Sequence, residues 1–447
     1  MRYFIFLFPF FIFPQIIDTV VRLNDWPLSL FYISKENKLY IKVLFSSQFF
    51  VVDCSTYEIK KVIPLPHHYP TSFAYGTYNP KRDKIYFGFN PNPESILVID
   101  TKKDTIIKWI NFVSCGPTTQ CYNSMNDKIY AVDGLNVGVI DCETDSLIKI
   151  INHPQYWFSH FTCWDSIGNK VYCGCAYANV MGVIDCESDS LIKTISLPLI
   201  AGNACYNSFY RKLYVGPEWL GGGPKSAVIC TRGDTLIKIF DTLYWNDEVP
   251  IIYNKNENKI YWPSFSPSNY CIEIIDCETD SIIKNIEIID ADFIATYFAE
   301  WSNRLYILSW YENKNSYNIL YVLDCRNDSI ISQLRFGKGA PGITGNPYTR
   351  QIYIIDSRDS SLFVIRDTMS AIEEKGYKKN KIDTSQGIRK SFLDMALLKN
   401  FEEIEIYDVS GKLVLRKRRD KISLRKIKKG IYVVKIDKEK RKFIVVK

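Results

Sequence analysis

One stretch of thirteen residues occurs three times almost unchanged and sets the plan of the whole chain. It spans Val139–Ile151, Val183–Ile195 and Ile274–Ile286, and looser copies begin at Val51, Val98, Val228 and Val322. Each copy has an apolar run ending in an acid, a small polar centre and a Leu-Ile-Lys run, a pattern typical of two β-strands joined by a hairpin turn. The side chain of Asp141 is expected to accept backbone N–H bonds from this turn.

A second motif precedes each hairpin, a strand that in most copies reads Lys-Ile/Leu/Val-Tyr, with Asn or Arg one or two residues before it. Its tyrosines recur every 42 to 47 residues, at Tyr40, Tyr86, Tyr130, Tyr172, Tyr214, Tyr261, Tyr306 and Tyr353. A further short strand lies upstream of each tyrosine, so one unit contains four strands. This period predicts an all-β fold, a β-propeller of about eight four-stranded blades, with seven blades as the alternative.

The two ends of the repeat region are incomplete in complementary ways. Asp18–Leu23 resembles a fourth strand without a preceding partner, and Ser360–Arg366 resembles a third strand without a successor. We therefore expect the N-terminal strand to complete the last blade and close the ring, because closure removes exposed sheet edges. The expected blades span residues 24–63, 64–110, 111–151, 152–196, 197–241, 242–286, 287–334 and 335–366 plus 18–23.

The segments outside the ring predict export and a separate tail. Tyr3–Phe13 is an apolar run after a charged start, too short for a membrane span, so residues 1–17 are predicted to be a signal peptide. Residues 367–400 are predicted to be a linker, and residues 401–447 a small β-sandwich-like module with alternating strands. No transmembrane span is expected.

The charge is unevenly distributed between these regions. Residues 367–447 hold 23 Lys/Arg and 12 Asp/Glu, a net charge of +11, whereas the rest of the chain carries −4. Nucleic-acid binding by the ring is therefore not expected.

Thirteen cysteines invite a disulfide or metal interpretation. Six share one repeat position, at Cys54, Cys142, Cys186, Cys230, Cys277 and Cys325. Equivalent positions in neighbouring blades lie too far apart for a disulfide, so these cysteines are predicted to be buried packing residues. Cys163 beside Cys173 and Cys175 leaves a disulfide or metal site open as the alternative.

Candidate ligand-binding residues come from the connections between blades and between second and third strands, which share one face. They are histidines and aromatic residues, which suit sugars or peptide side chains: His67, His68, Tyr69, His153, Trp157, His160, Trp219, Trp245, Trp262 and Trp310. The sequence contains no recognisable catalytic motif, so no catalytic residue, metal or cofactor is predicted.

Two resemblances support these expectations. The repeats of residues 18–366 resemble the YVTN-type (YncE-like) β-propeller family, which implies the fold and little about function. The tail resembles the C-terminal sorting domain of the type IX secretion system, through Tyr407, Asp408, Gly411, Lys412, Gly430, Tyr432 and Lys447. This second resemblance implies contact with the secretion machinery, passage through the periplasm and release to the cell surface or medium.

The sequence as a whole predicts an exported, non-catalytic and monomeric β-propeller. It would present a loop face to an unknown surface protein, peptide or glycan. The alternative is a propeller enzyme, either a lactonase-like hydrolase or a metal- or quinone-dependent oxidoreductase, acting at the channel mouth.

Overall fold

A computed structural model describes most of the repeat region and the strands of the tail. The described ranges are 16–65, 75–89, 95–111, 119–132, 134–156, 158–175, 178–218, 225–241, 243, 249–265, 270–288, 293–311, 317–367, 403–408, 413–418, 432–436 and 439–443. The chain divides into two compact units, Met1–Ile372 and Glu373–Lys447. In the described part of the chain, no helix has the length and apolar character needed to cross a membrane.

The first unit consists of eight antiparallel four-stranded sheets. Blade 1 has β2 (Pro27–Ile33), β3 (Lys38–Val43), β4 (Gln48–Asp53) and β5 (Ile59–Pro64). Blade 2 has β6 (Tyr75–Asn79), β7 (Lys84–Phe89), β8 (Ser95–Asp100) and β9 (Thr105–Asn111). Blade 3 has β10 (Thr119–Asn123), β11 (Lys128–Val132), β12 (Asn136–Asp141) and β13 (Ser146–Asn152). Blade 4 has β14 (Phe158–Asp165), β15 (Lys170–Cys175), β16 (Val180–Asp185) and β17 (Ser190–Ser196).

The second half of the ring continues the pattern. Blade 5 has β18 (Ala201–Asn207), β19 (Lys212–Pro217), β20 (Ser226–Cys230) and β21 (Thr235–Phe240). Blade 6 has β22 (Ile252–Asn254), β23 (Lys259–Phe265), β24 (Tyr270–Asp276) and β25 (Ser281–Ile288). Blade 7 has β26 (Phe293–Ala299), β27 (Arg304–Tyr311), β28 (Tyr317–Asp324) and β29 (Ser329–Phe336). Blade 8 has β30 (Gly342–Asn346), β31 (Gln351–Asp356), β32 (Ser361–Arg366) and β1 (Ile16–Arg22).

The predicted eight-bladed all-β fold and its closure by the N-terminal strand are confirmed. β1 pairs with β32 and forms the outer strand of blade 8. The register differs from the one that sequence similarity suggests. Ile16, not a residue after Asp18, pairs with Arg366, and a bulge follows Ile17. Asp18 therefore does not take the place that Asp145 holds in blade 3.

The second and third strands carry the core, and the fourth strands are half exposed. The eight repeat tyrosines are completely buried, and residues on both faces of the middle strands pack between blades. Blades 1 to 7 each have a bulge in the pairing of the fourth strand; in blade 3, Val139 pairs with Lys149 and Ile140 with Leu147. Ile148 is skipped and left about half exposed. Such bulges distort an outer edge that would otherwise invite strand addition.

The turn cap predicted for Asp141 is confirmed. Its Oδ1 accepts the N–H of Thr144 at 2.8 Å. The carboxylates at the same repeat position do the same in other blades: Asp53, Asp100, Asp185, Asp276 and Asp324. Blade 5 has Cys230 here instead.

The second acid of the motif joins each blade to the previous one. The hydroxyl of Tyr86 in blade 2 donates to Oδ1 of Asp145 in blade 3 at 2.6 Å, and Nζ of Lys84 lies 2.7 Å from Oδ2 of the same carboxylate. Burial and this carboxylate raise the pKa of Tyr86. We call this arrangement the Tyr–Lys–Asp clasp. We call the contact between two neighbouring blades a seam. The clasp occurs in six seams, with the pairs Tyr40–Asp104, Tyr86–Asp145, Tyr130–Asp189, Tyr172–Asp234, Tyr214–Asp280 and Tyr261–Asp328.

The two seams at the ring closure use other residues. Blade 8 has no turn between its third and fourth strands, because these come from opposite ends of the chain. Asp367, directly after β32, receives Arg304 instead, with Nη1 2.5 Å from Oδ1 in a buried pair. Between blades 8 and 1, Nε2 of Gln351 donates to the hydroxyl of Tyr57 at 2.6 Å and to Asp18 at 3.1 Å.

Further hydrogen bonds tie the same side of the ring together. An asparagine at the end of the first strand caps the following turn and reaches the next blade, as Asn123 reaches Asn169 at 2.8 Å. On the outer strands, lysines of the Leu-Ile-Lys run donate to the next blade's turn carbonyl, as Lys149 does to Ser188 at 3.0 Å. We call this side, which carries the first-to-second and third-to-fourth turns, the lower side, and the opposite one the upper side.

The second unit contains one four-stranded antiparallel sheet among its described residues. Its strands are β33 (Glu403–Asp408), β34 (Leu413–Arg418), β35 (Tyr432–Ile436) and β36 (Glu439–Phe443), in the order β34-β33-β35-β36. Of the sorting-motif residues, Tyr407 and Asp408 lie on β33 and Tyr432 begins β35, whereas Gly411, Lys412, Gly430 and Lys447 lie outside the described residues.

Replacing Asp145 tests the clasp. Asp145→Ala should lower the free energy of unfolding by about 3 kcal/mol, because the buried Tyr86 hydroxyl and Lys84 lose their shared acceptor. Asp145→Asn keeps one acceptor oxygen and tolerates the positive φ of 52° at this position, so it should cost about 1 kcal/mol. Urea unfolding of the full chain measures both. The neighbouring Glu143→Ala is the control, because its side chain is 72% exposed; an equal loss for Asp145→Ala and Glu143→Ala would contradict the clasp.

Candidate functional site

Most of the sequence-predicted ligand-binding residues lie outside the described part of the chain. These are His67, His68, Tyr69, Trp157, Trp219 and Trp245. His160 lies on β14, and only its backbone is described. Their proposed roles remain predictions. The structure places the side chains of His153, Trp262 and Trp310.

His153 caps a turn. It is buried, its Nδ1 accepts the N–H groups of Gln155 and Tyr156 at 3.2 and 3.1 Å, and its Nε2 lies 2.8 Å from the Thr194 hydroxyl. Burial lowers its pKa. Because Nδ1 accepts hydrogen bonds, the ring is neutral and its proton is on Nε2, facing Thr194. His153 therefore plays a structural part here, comparable with the aspartates that cap the hairpins.

Trp262 is completely buried in the seam between blades 5 and 6. A Cβ atom on Gly216 would lie 3.0 Å from Cζ2 of Trp262, so the indole fills the space that this glycine leaves. Trp262 therefore belongs to the core and not to the exposed aromatic surface that the sequence suggested.

Trp310 lies at the end of β27 on the upper side, where it is partly exposed. Its Nε1 donates to the carbonyl of Lys338 at 2.9 Å, and the Arg358 guanidinium stacks on the ring with its carbon 4.9 Å from the centroid. Lys338 also pairs with Asp359 at 3.2 Å. We call the group formed by Trp310, Lys338 and Arg358 the upper platform.

Asp356 holds the upper platform in place from beneath. It is completely buried, and its Oδ2 accepts the N–H groups of Lys338 and Gly339 at 2.6 and 3.2 Å and the Asn318 amide at 2.8 Å. Gly337 is required beside it: its φ is +54°, and a Cβ there would lie 2.1 Å from Oδ2 of Asp356. The loop that carries Lys338 is thus fixed by the fold.

A second aromatic pair lies on the same side in blade 1, and the sequence reading missed it. Trp26 and Phe45 meet edge to face with centroids 5.8 Å apart, and Phe45 is 63% exposed. Asp25 fixes both loops, since it accepts the N–H groups of Phe45 and Ser46 at 3.0 and 2.9 Å. Burial alone would raise the pKa of Asp25, but these hydrogen bonds outweigh it and leave the pKa below its usual value.

The cysteines agree with the packing interpretation. The twelve that the structure describes are all free thiols, and five of the six at the shared repeat position are buried, with Cys230 half-buried. Cys173 pairs with Thr162 across the strands, not with Cys163. Within the described ranges, no group of three or more His, Cys, Asp or Glu residues is arranged to hold a metal ion.

Two positions between blades carry a buried ionisable side chain where the equivalent positions of other blades do not. Lys42 is completely buried, and burial lowers its pKa to about 8. Glu273 on β24 lies opposite Trp262 and is only 7% exposed; burial raises its pKa to about 7 although Ser264 donates to it. Its Oε2 has no hydrogen-bond partner among the described residues. The corresponding positions in blades 3 and 4 are Gly138 and Gly182.

The buried carboxyl predicts a pH-dependent stability. A carboxyl whose pKa rises on folding keeps its proton in the folded state and loses it in the unfolded state, so stability falls as pH rises from about 4.5 to about 7. Glu273→Gln should match the wild type near pH 5 and be more stable by about 2 kcal/mol at pH 8. Urea unfolding at both pH values measures the difference. Glu278→Gln, at an exposed turn, should show none, and a pH-independent effect of Glu273→Gln would refute the interpretation.

Comparisons with known proteins agree with both units. Residues 389–447 match the family model of the secretion system C-terminal sorting domain. The fold is similar to Kuenenia stuttgartiensis hydrazine synthase, with a TM-score of 0.51 and 13% identity over 66% of this chain and 96% of that one. It is also similar to the β-propeller domain of Cps50 (Swd1) from Myceliophteria thermophila, with a TM-score of 0.51 and 11% identity over 79% of this chain and 100% of that one.

These structural likenesses show the propeller fold alone. Among curated protein sequences, none matches the chain. The sorting domain indicates an exported protein, released or held at the cell surface, that interacts with the type IX secretion machinery.

Proposed function

We propose that the chain is an exported, non-catalytic propeller of the YVTN type. It binds a surface protein, a peptide or a glycan through the upper side of the ring. The match of residues 389–447 to the sorting domain supports export. The binding role rests on one observation, the stacked and locked Trp310 of the upper platform.

The upper platform has the properties of a recognition surface. The indole of Trp310 is held in one orientation by its bond to Lys338 and by Arg358, so little conformational entropy is lost when a ligand packs against it. Indole rings with adjacent hydrogen-bond donors suit both sugars and peptide side chains. The exposed Phe45 beside Trp26 adds a second aromatic surface on the same side.

The expected route begins at the N-terminus. The apolar run Tyr3–Phe13 acts as a signal peptide for transport to the periplasm, and the tail then directs passage across the outer membrane. In this proposal the ring is the exported domain and the tail is its sorting signal.

A fusion tests the role of the tail. Residues 367–447 joined behind a periplasmic reporter should carry it to the surface or medium of a host with a type IX system. A protease-accessibility assay on intact cells would detect it. A tail with Gly411→Ala and Gly430→Ala is the matched control and should leave the reporter inside. Retention of the unaltered fusion in the periplasm would contradict the export proposal.

Substitution of Trp310 tests the binding surface. Trp310→Ala should weaken binding to ligands found on glycan and peptide arrays at least tenfold, because it removes the apolar surface of the platform. Arg358→Ala should weaken the same binding about threefold, because the ring loses its support. Tyr348→Ala is the control, since this residue is 76% exposed on the lower side. Arrays without any ligand, or equal losses for Trp310→Ala and Tyr348→Ala, would refute the assignment.

A further inference from the structure

The lower side carries a variable position inside a frame that recurs in six of the eight blades, with Ile33 and Ala299 replacing the capping residue in blades 1 and 7. At the end of the first strand, Asn123, Asp165 and Asn207 each accept the N–H groups two and three residues further on. The residue two positions on therefore stands at the tip of a fixed turn. In blades 1 to 8 these tips are Lys35, Lys81, Met125, Ile167, Phe209, Asn256, Trp301 and Tyr348.

Three consecutive tips are large, apolar and exposed. Met125, Ile167 and Phe209 are 61%, 53% and 72% exposed, and they belong to blades 3, 4 and 5. The first strands of these blades pack directly against one another, so the tips are neighbours. We call this group the apolar arc. Single exposed apolar residues are common, but a contiguous group on a rigid frame marks an interaction surface.

The residues directly before the apolar tips are uncharged, and one end of the apolar arc carries exposed lysines. Each apolar tip follows an exposed serine, at Ser124, Ser166 and Ser208. At the blade 2 end stands Lys81, 58% exposed, which shares the Asp127 carboxylate with Arg82, and beyond it Lys35, 52% exposed, which shares Asp83 with Lys102. At the other end the blade 6 tip is the neutral Asn256, and Lys255 beside it pairs with Glu300 at 2.9 Å. A ligand across the arc therefore meets apolar side chains first and, at the blade 2 end, lysines that each share one carboxylate with a second cation.

The size of the apolar arc favours a short segment over a second copy of this chain. Three partly exposed side chains offer a few hundred Å² at most, whereas stable protein interfaces bury about 800 Å² on each partner. An extended peptide needs less area, because two side chains can supply most of its binding energy.

We propose that the apolar arc docks a short extended segment of a partner protein that carries at least two bulky apolar side chains followed by acidic residues. The apolar side chains pack among Met125, Ile167 and Phe209, and the carboxylates face Lys81. The fixed turns keep the tips in position before the partner arrives. This surface is separate from the upper platform and does not depend on it.

Panning a random twelve-residue peptide library on the full chain tests the proposal. Enriched peptides should share two bulky apolar residues and a following acid, and fluorescein-labelled copies should bind the wild type. The triple variant Met125→Ser, Ile167→Ser, Phe209→Ser should bind them at least tenfold more weakly. Lys81→Glu should weaken binding about fivefold, and added salt should reduce this difference because it screens exposed charges.

The chain offers a matched control on its outer rim. Ile148, Ile192 and Ile237 belong to the same three blades and are 47 to 51% exposed, so their replacement by serine removes a comparable apolar surface elsewhere. This rim variant should bind the peptides like the wild type. Unfolding by heat checks that each variant folds; if the triple variant does not, Phe209→Ser alone replaces it.

Three outcomes would overturn the proposal. The first is a library that enriches no peptide on the wild type above the level seen with the triple variant. The second is equal binding by the rim and arc variants. The third is a wild-type dimer in sedimentation that the arc substitutions separate, which would assign the arc to a second copy of the chain. Loss of binding in Trp310→Ala alone would concern the upper platform and leave the apolar arc unaffected.

Discussion

The Tyr–Lys–Asp clasp is the interaction on which the ring depends. A phenol buried between blades needs an acceptor, and a carboxylate buried there needs donors, so neither is tolerated alone. Tyr86 and Lys84 meet both needs of Asp145, and the same three residue types recur through most of the ring. Blades 5 and 1 show that the two acids of the repeat have separate roles. Blade 5 has Cys230 in place of the turn-capping aspartate but keeps Asp234 of the clasp, whereas blade 1 keeps the cap Asp53 and has Tyr57 at the clasp position.

Ring closure follows the same logic with different residues. A propeller whose last blade combines both chain ends cannot have a hairpin turn in that blade, so the clasp loses its acceptor at that seam. Asp367 supplies a carboxylate from the end of β32, and Arg304 replaces the usual lysine, which gives a buried pair capable of several hydrogen bonds. The Trp301 indole donates to the same carboxylate at 2.7 Å. An acid thus accepts the hydrogen bonds at this seam as in the others, although it comes from a different place in the sequence.

The sequence was informative wherever the determining interactions are local. Blade number and closure follow from the repeat period, and turn caps follow from the short reach of an aspartate side chain. The sequence did not predict the clasp, because Tyr86 and Asp145 are 59 residues apart. His153 looked like a ligand-binding residue because its burial depends on how a connection packs against Thr194 on the outer strand of blade 4. Trp262 looked like a surface aromatic because the space that it fills is left by Gly216 of the preceding blade.

The two sides of the ring separate stability from recognition in different ways. On the lower side a cap such as Asn123 fixes the turn in six blades, and in blades 3 to 5 the exposed apolar side chain two residues later can change without removing a hydrogen bond between blades. Recognition by these three blades can therefore vary at little cost in stability. On the upper side the connections differ in length, and three of the described ones are fixed by their own buried residue, Asp25, Asp356 or His153. Changing that surface means rebuilding a loop and its cap together, so the upper side provides shape and the lower side provides interchangeable contacts.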